Sequence, residues 1–331
     1  MFWVVSCHIS YALIIVILKP LYFIYSFNYD YHHEELCNLE SRQLFGVEMN
    51  HKVVSSEVKM DPSISPFIRN RLDVCVADAD YDLFLDKIKY LGITLHDFVV
   101  EYLVIEGDVA NKATRRARQK DVGYCIYGRP DFKNPLITYA ICYLNESWCF
   151  GILHKEDITW HRHRQKPHSF SNSIGTIIAK TLVSVASQGH TEVKLLDACC
   201  GVGTVMLEAC IAGFRIAGCD INPRAYHHAL QNLKFYDYEA ELYHSDIKDL
   251  TQTYDTAIID LPYNLYSLTT DNIATHIITS AAARASRLVV VSIADIEPVI
   301  TAAGLRVVDY ATVVKRGKSL FTRKIWVCEP Q

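Results

Sequence analysis

An excess of one charge is missing: 33 Lys plus Arg stand against 37 Asp plus Glu, a net charge of −4 over 331 residues. A uniformly basic surface is thereby excluded, and any nucleic-acid partner must be held by local patches. Glycine (14) and proline (10) are scarce for this length, which excludes a collagenous or low-complexity chain. Half the residues are hydrophobic and 21% charged, so the chain is neither mostly disordered nor a coiled coil. The 11 cysteines form no C-x-x-C pair, their number is odd, and the adjacent Cys199–Cys200 is a poor disulfide framework. A reducing compartment, the cytoplasm, is the expectation. No Cys or carboxylate at zinc spacing accompanies His161-x-His163, so no metal is expected. No G-x-S-x-G elbow is present to supply a serine nucleophile.

Long apolar runs are also lacking, with one marginal case. Met1–Leu18 carries no formally charged side chain, but Ser6, His8 and Ser10 interrupt it and Lys19-Pro20 ends it. A span needs about 20 consecutive apolar residues, and the basic start of a secretory signal is absent. Residues 1–20 are expected to form an apolar N-terminal extension, with membrane anchoring the minority alternative and no stable membrane partner.

The rest reads as two domains. Residues 21–159 mix strand patterns (Leu21–Asn28, Phe98–Ile105) with helix patterns (His33–Phe45, Asp80–Tyr90, the basic Lys112–Lys120). A hairpin is expected from 136–144 and 147–153 across Asn145-Glu146. This predicts a small α+β domain. Trp160-His-Arg-His-Arg-Gln-Lys-Pro167 lies within a basic linker, 160–170. From 171 to 331, strands at 193–196, 214–219, 241–243, 254–259 and 288–292 alternate with helices at 171–186, 204–212 and 223–235. That alternation predicts an α/β fold with a mostly parallel sheet covered on both faces. Strands at 305–314 and 321–328 predict an antiparallel hairpin at its edge.

The first strand-to-helix crossover reads Leu195-Leu-Asp-Ala-Cys-Cys-Gly-Val-Gly-Thr-Val205. Gly201 and Gly203 remove side chains where a ligand approaches backbone, with Cys199 and Thr204 beside them. The full G-x-G-x-x-G dinucleotide fingerprint is absent, since Leu207 and Glu208 follow. An acid, Asp197, precedes the glycines. It would repel a phosphate and suits a cationic ligand such as S-adenosyl-L-methionine. Asp220, with Asn222, ends the second strand where an acid accepts ribose hydroxyls. Asp246 follows the third strand, placed to accept an adenine amine while Ile247 packs on the ring. One such acid often only caps a helix; three after three successive strands, with the glycines, form a pattern.

The fourth strand ends in Ile258-Ile-Asp-Leu-Pro-Tyr-Asn264. Asp260-Leu261-Pro262-Tyr263 resembles the D/N/S-x-P-Y/F motif of methyltransferases acting on exocyclic amines of bases. Such an amine shares its lone pair with the ring and must be turned towards the methyl group. Asp260 and the Leu261 carbonyl can each accept one N–H, Pro262 stiffens the backbone, and Tyr263 offers a face to a flipped base.

Together with Tyr22-Phe-Ile-Tyr-Ser-Phe27 and Glu34-Glu-Leu-Cys-Asn-Leu-Glu-Ser-Arg-Gln-Leu-Phe-Gly46, these motifs resemble the THUMP-containing tRNA guanosine-N2 methyltransferases of archaea and eukaryotes. The resemblance is specific over 168–328 and looser over 22–165. It implies a class I, Rossmann-like methyltransferase domain with a seven-stranded sheet and an RNA-binding region before it. It also implies methyl transfer from adenosylmethionine to guanosine N2, with tRNA as partner. Asp197, Gly201 and Gly203 match the cofactor motif, and Asp260, Pro262 and Tyr263 the amine motif. The family often has Pro-Pro-Tyr-Gly where this chain has Leu261-Pro-Tyr-Asn264. No sequence motif marks a binding site for a small activating protein subunit. The alternatives are a DNA adenine-N6 or cytosine-N4 methyltransferase and a catalytically inactive RNA-binding or scaffold protein. Three basic clusters are candidate RNA contacts: Arg115 and Arg116; Arg162, Arg164 and Lys166; Lys315, Arg316 and Arg323.

Overall fold

A computed structural model describes residues 18–170, 173–262, 268–315 and 321–331. The elements of the first half are β1 (Tyr22–Phe27), α1 (Glu34–Phe45), β2 (Val53–Ser56), β3 (Ile68–Asp78), α2 (Tyr81–Tyr90), β4 (Phe98–Tyr102), α3 (Lys112–Gly123), β5 (Ile137–Leu144) and β6 (Ser147–Lys155). The second half holds α4 (Thr176–Ser187), β7 (Lys194–Asp197), α5 (Thr204–Ile211), β8 (Arg215–Asp220), α6 (Pro223–Phe235), β9 (Glu241–His244) and β10 (Tyr254–Asp260). It closes with α7 (Leu268–Ala282), β11 (Ala285–Ser292), α8 (Glu297–Ala302), β12 (Leu305–Lys315) and β13 (Phe321–Pro330). The chain divides into two compact units. One holds the described residues up to Phe23 and Leu72–His154; the other holds Ile24–Arg71 and Lys155–Gln331.

In the first unit the strand order is β3-β6-β5-β4. β5 and β6 pair antiparallel, and Asn145 and Glu146 both have positive φ (50° and 59°), the geometry of a tight hairpin turn. Asp80 and Asn111 cap α2 and α3 by accepting the N–H groups of Leu83 and Thr114. Phe84, Ile88, Val122, Ile141 and Phe150 fill the core.

The second unit is built on a seven-stranded sheet of order β12-β13-β11-β10-β7-β8-β9. β11, β10, β7, β8 and β9 run parallel, while β13 pairs antiparallel to β11 and to β12. This is the class I, Rossmann-like methyltransferase topology. Its central strands are apolar on both faces: Leu195, Leu196, Ile258, Ile259, Val289 and Val290 are fully buried, as expected when helices cover both sides. β12 and β13 form the antiparallel pair expected at the sheet edge, with β12 outermost and β13 beside β11.

The division falls at His154/Lys155, a few residues before the expected boundary at 159, and Ile24–Arg71 groups with the α/β unit and not with the rest of 21–159. Long-range polar contacts explain the grouping. Buried Glu40 of α1 accepts hydrogen bonds from Ser184 of α4 and from Ser65. Arg42 donates to both oxygens of Asp309 on β12 at 3.1 Å. The segment expected as a basic linker packs on the α/β unit. Residues Thr159–Gln165 form a 3-10 turn, and buried His163 bonds Glu208 of α5 (2.9 Å) and Tyr238 (3.0 Å).

Candidate active site

The parallel order β10-β7-β8-β9 brings the C-terminal ends of four strands, and their acids, to one edge of the sheet. Asp197 ends β7, in register with Ile258 of β10 and Gly218 of β8. It is 2% exposed, and its Oδ2 has no hydrogen-bond partner among the described residues. Burial first, then the charges of Asp260 and Asp220, hold its carboxyl well above the usual carboxylate range. A buried acceptor left open next to two further acids is made for a cation with hydrogen-bond donors.

The loop after β7 turns through Gly201 (φ +54°) and Gly203 (φ +78°), both left-handed. A Cβ on Gly203 would lie 3.2 Å from the Ala229 Cβ of α6, whereas one on Gly201 would meet nothing within 4 Å. Gly203 is therefore needed for packing as well as for backbone shape. Cys199 is half-buried, and Thr204, the first residue of α5, is buried with its Oγ1 unpartnered among the described residues. Gly218 of β8 was not singled out by sequence; a Cβ there would lie 2.4 Å from the Met206 Sδ of α5.

Asp220 ends β8 and accepts the Gly201 N–H on Oδ2 and the Asn222 N–H on Oδ1, each at 2.8 Å. These bonds fix the carboxylate, which keeps lone pairs for further donors. Asn222 is different. Its Oδ1 accepts the Arg224 and Ala225 N–H groups as the cap of α6, so that oxygen is committed to helix capping. Asp246 follows β9 and caps the 3-10 turn Ile247–Asp249 through the Lys248 N–H, 3.0 Å from Oδ1. Partial burial alone would raise its pKa, but that N–H, His276 and Lys248 outweigh it and lower the value. Ile247 is 3% exposed, in one apolar cluster with Ala274, Ile277 and Ile278 of α7. It forms a floor beneath Asp246 and has little free face for a ring.

Asp260 ends β10 in register with Val291, and Leu261 is anchored by donating its N–H to the Val291 carbonyl (3.0 Å). Leu261 is buried and Pro262 exposed. Tyr263 lies outside the described residues. A cleft of about 680 Å³ at the opposite end of the strands, by Lys194, Arg215 and Tyr254, holds none of these acids.

The basic residues divide. Arg116 and Arg164 are exposed. Arg115 pairs with Asp108 (3.6 Å). Arg162 donates to the Tyr238 hydroxyl (2.7 Å) and lies over the rings of Tyr236 and Tyr238. Lys166 is half-buried, its pKa lowered by desolvation despite the nearby charge of Glu208. Arg323 is only 1% exposed, which corrects its expected surface role: alternation along β13 puts it on the face of buried Ile325 and Val327. The Lys315 side chain and Arg316 lie outside the described residues. His276, missed by sequence, donates to Asp246 from α7; its partner lies 30 residues away, beyond any local pattern.

Fold and site thus define a class I methyltransferase domain, and the acceptor set fits S-adenosyl-L-methionine. The orphaned Asp197 Oδ2 suits its cationic part, and Asp220 and Asp246 carry acceptor capacity for ribose and adenine. The Methyltransferase small domain family model matches residues 164–292. A curated relative, the tRNA (guanine(10)-N2)-dimethyltransferase of Methanothermobacter thermautotrophicus, is 23% identical over 201 residues, 57% of this chain. The match spans 58% of that relative, less than two thirds of its length. Among solved structures, TrmN from Thermus thermophilus aligns over 94% of this chain and 100% of its own, with a TM-score of 0.47 and 13% identity. Magnesium protoporphyrin IX methyltransferase from Synechocystis aligns over 52% of this chain and 92% of its own, with a TM-score of 0.40 and 18% identity.

Proposed function

We propose that this protein is an adenosylmethionine-dependent RNA methyltransferase that modifies the exocyclic N2 amine of guanosine, with tRNA as its substrate. The observation that carries the reading is Asp260 at the end of β10, next to the strand that ends in buried, open Asp197, and followed by an anchored Leu261-Pro262. Asp197, the Gly201–Gly203 loop, Asp220 and Asp246 would hold adenosylmethionine. When bound, it supplies an electrophilic methyl group.

This chain's residues supply orientation and electrostatics. Asp260 and the Leu261 carbonyl each accept one N–H of the guanine amine, turning its lone pair out of conjugation. Pro262 restricts the backbone that presents the carbonyl. The Asp260 charge stabilises the positive charge that develops on nitrogen as the N–CH3 bond forms and the methyl–sulfur bond would break, leaving the neutral thioether, and the excess proton on nitrogen then passes to solvent water. Tyr263 stacks on the flipped base. Exposed Arg116 and Arg164 are available to phosphates. The Methanothermobacter relative, named as a tRNA guanine-N2 dimethyltransferase, supports the choice of base and RNA. The test is nucleoside mass spectrometry of bulk tRNA from a deletion strain. Loss of N2-methylguanosine or N2,N2-dimethylguanosine is expected. Unchanged tRNA with altered N6-methyladenine in DNA would overturn the reading.

A further inference from the structure

We propose that His276 is a positioning residue for adenine recognition, holding the Asp246 carboxylate in the orientation that accepts the adenine amine. This rests on the cofactor reading of Asp246 above. The His276 Nε2 lies 3.0 Å from Oδ1 and 3.1 Å from Oδ2, bridging both oxygens. The Lys248 N–H holds Oδ1 at 3.0 Å, and the Lys248 Nζ stands 3.9 Å from Oδ2. A single capping bond leaves the carboxylate free to turn about its last torsion. A donor spanning both oxygens sets its plane, and with it the direction of the remaining lone pairs.

The donor is itself held. Ala274, Ile277 and Ile278, on either side of His276 in α7, are buried in one cluster with Ile247 and Leu250, which follow Asp246. The imidazole is thereby presented from fixed backbone although 42% of it is exposed. A polar contact this exposed contributes little to folding. Its consequence should therefore appear in ligand discrimination and not in stability.

The test is titration calorimetry of the full chain with S-adenosylhomocysteine and with S-inosylhomocysteine, whose base carries a carbonyl in place of the amine. Wild type should prefer the adenosyl ligand. His276→Ala should weaken that ligand about fivefold, the scale of one lost hydrogen bond, and leave the inosyl ligand nearly unchanged. His276→Gln, which keeps an N–H donor, should recover part of the preference, and the thermal midpoint should not move. Tight adenosyl binding by wild type with the same ligand preference in His276→Ala overturns the inference alone. Equal loss for both ligands does so too, because that is the mark of a merely structural role. Failure of folded wild type to bind S-adenosylhomocysteine overturns the cofactor reading and this inference with it.

Discussion

Replacing Asp197 by Asn should stabilise the ligand-free protein while weakening its binding of adenosylmethionine. The carboxylate is 2% exposed, its Oδ2 has no partner among the described residues, and Asp260 and Asp220 add like charge. An unsatisfied buried polar group costs about 1–3 kcal/mol, more when charged. Removing the charge should raise the unfolding midpoint by about 1.5–4 °C for a chain of this size. The sign with pH follows from the raised pKa. Between the unfolded and folded values the native state keeps a proton that the unfolded state has lost, so stability falls as pH rises. The gap between variant and wild type should therefore be small in acid, where both side chains are neutral, and widen towards neutral pH. Scanning fluorimetry from pH 4 to 8 measures it, with and without S-adenosylhomocysteine, which should raise the wild-type midpoint far more than the variant's. A variant that is less stable at every pH, with an unchanged slope, would refute the reasoning.

Other perturbations address the frame of the site. Gly203→Ala places a Cβ in a left-handed conformation 3.2 Å from Ala229; urea denaturation should show a loss of about 1–2 kcal/mol, with weaker cofactor binding by calorimetry. Arg42→Ala removes the two-oxygen contact to half-buried Asp309 and should cost about 1.5–3 kcal/mol at pH 7. Desolvation would raise the Asp309 pKa, but Arg42 and Gln43 outweigh it and lower the value, so that stabilisation is lost as pH falls through the folded pKa and the urea difference should shrink in acid. Burial pushes Glu40 up to about 7, against the hydrogen bonds from Ser184 and Ser65 and the charge of Lys180. Wild type should therefore lose stability as pH rises through the window ending near 7, and thermal melts of Glu40→Gln should show a flatter profile.

The α/β half was readable because buried parallel strands leave unbroken apolar runs, and each run ends in an acid or a glycine loop that the topology carries to one edge. α6 matches its expected bounds, with Asn222 and Pro223 marking its start. α7 was missed because its sequence, Leu-Thr-Thr-Asp-Asn-Ile-Ala-Thr-His-Ile-Ile-Thr-Ser-Ala-Ala, is rich in β-branched residues that favour helix weakly. β3 was missed because Arg69, Asn70, Arg71 and Asp73 break its apolar pattern. These polar side chains find partners outside the strand: Arg69 pairs with Glu156, Asn70 donates to Ser26, and Arg71 donates to the Met60 carbonyl. Glu40 likewise reads as a solvent-facing helix residue until Ser184 and Ser65 are brought to it. Polar residues that settle tertiary pairing carry no local signal, and this hid both the grouping of α1 and the place of His276.

The most direct measurement of the central claim is an in vitro transfer with purified protein, adenosylmethionine and an unmodified tRNA transcript, read by mass spectrometry of the digested nucleosides. Wild type should produce N2-methylguanosine. Asp260→Ala should produce almost none while calorimetry shows cofactor binding retained. Cofactor binding by wild type with no methylated guanosine, or substantial product from Asp260→Ala, would contradict the account.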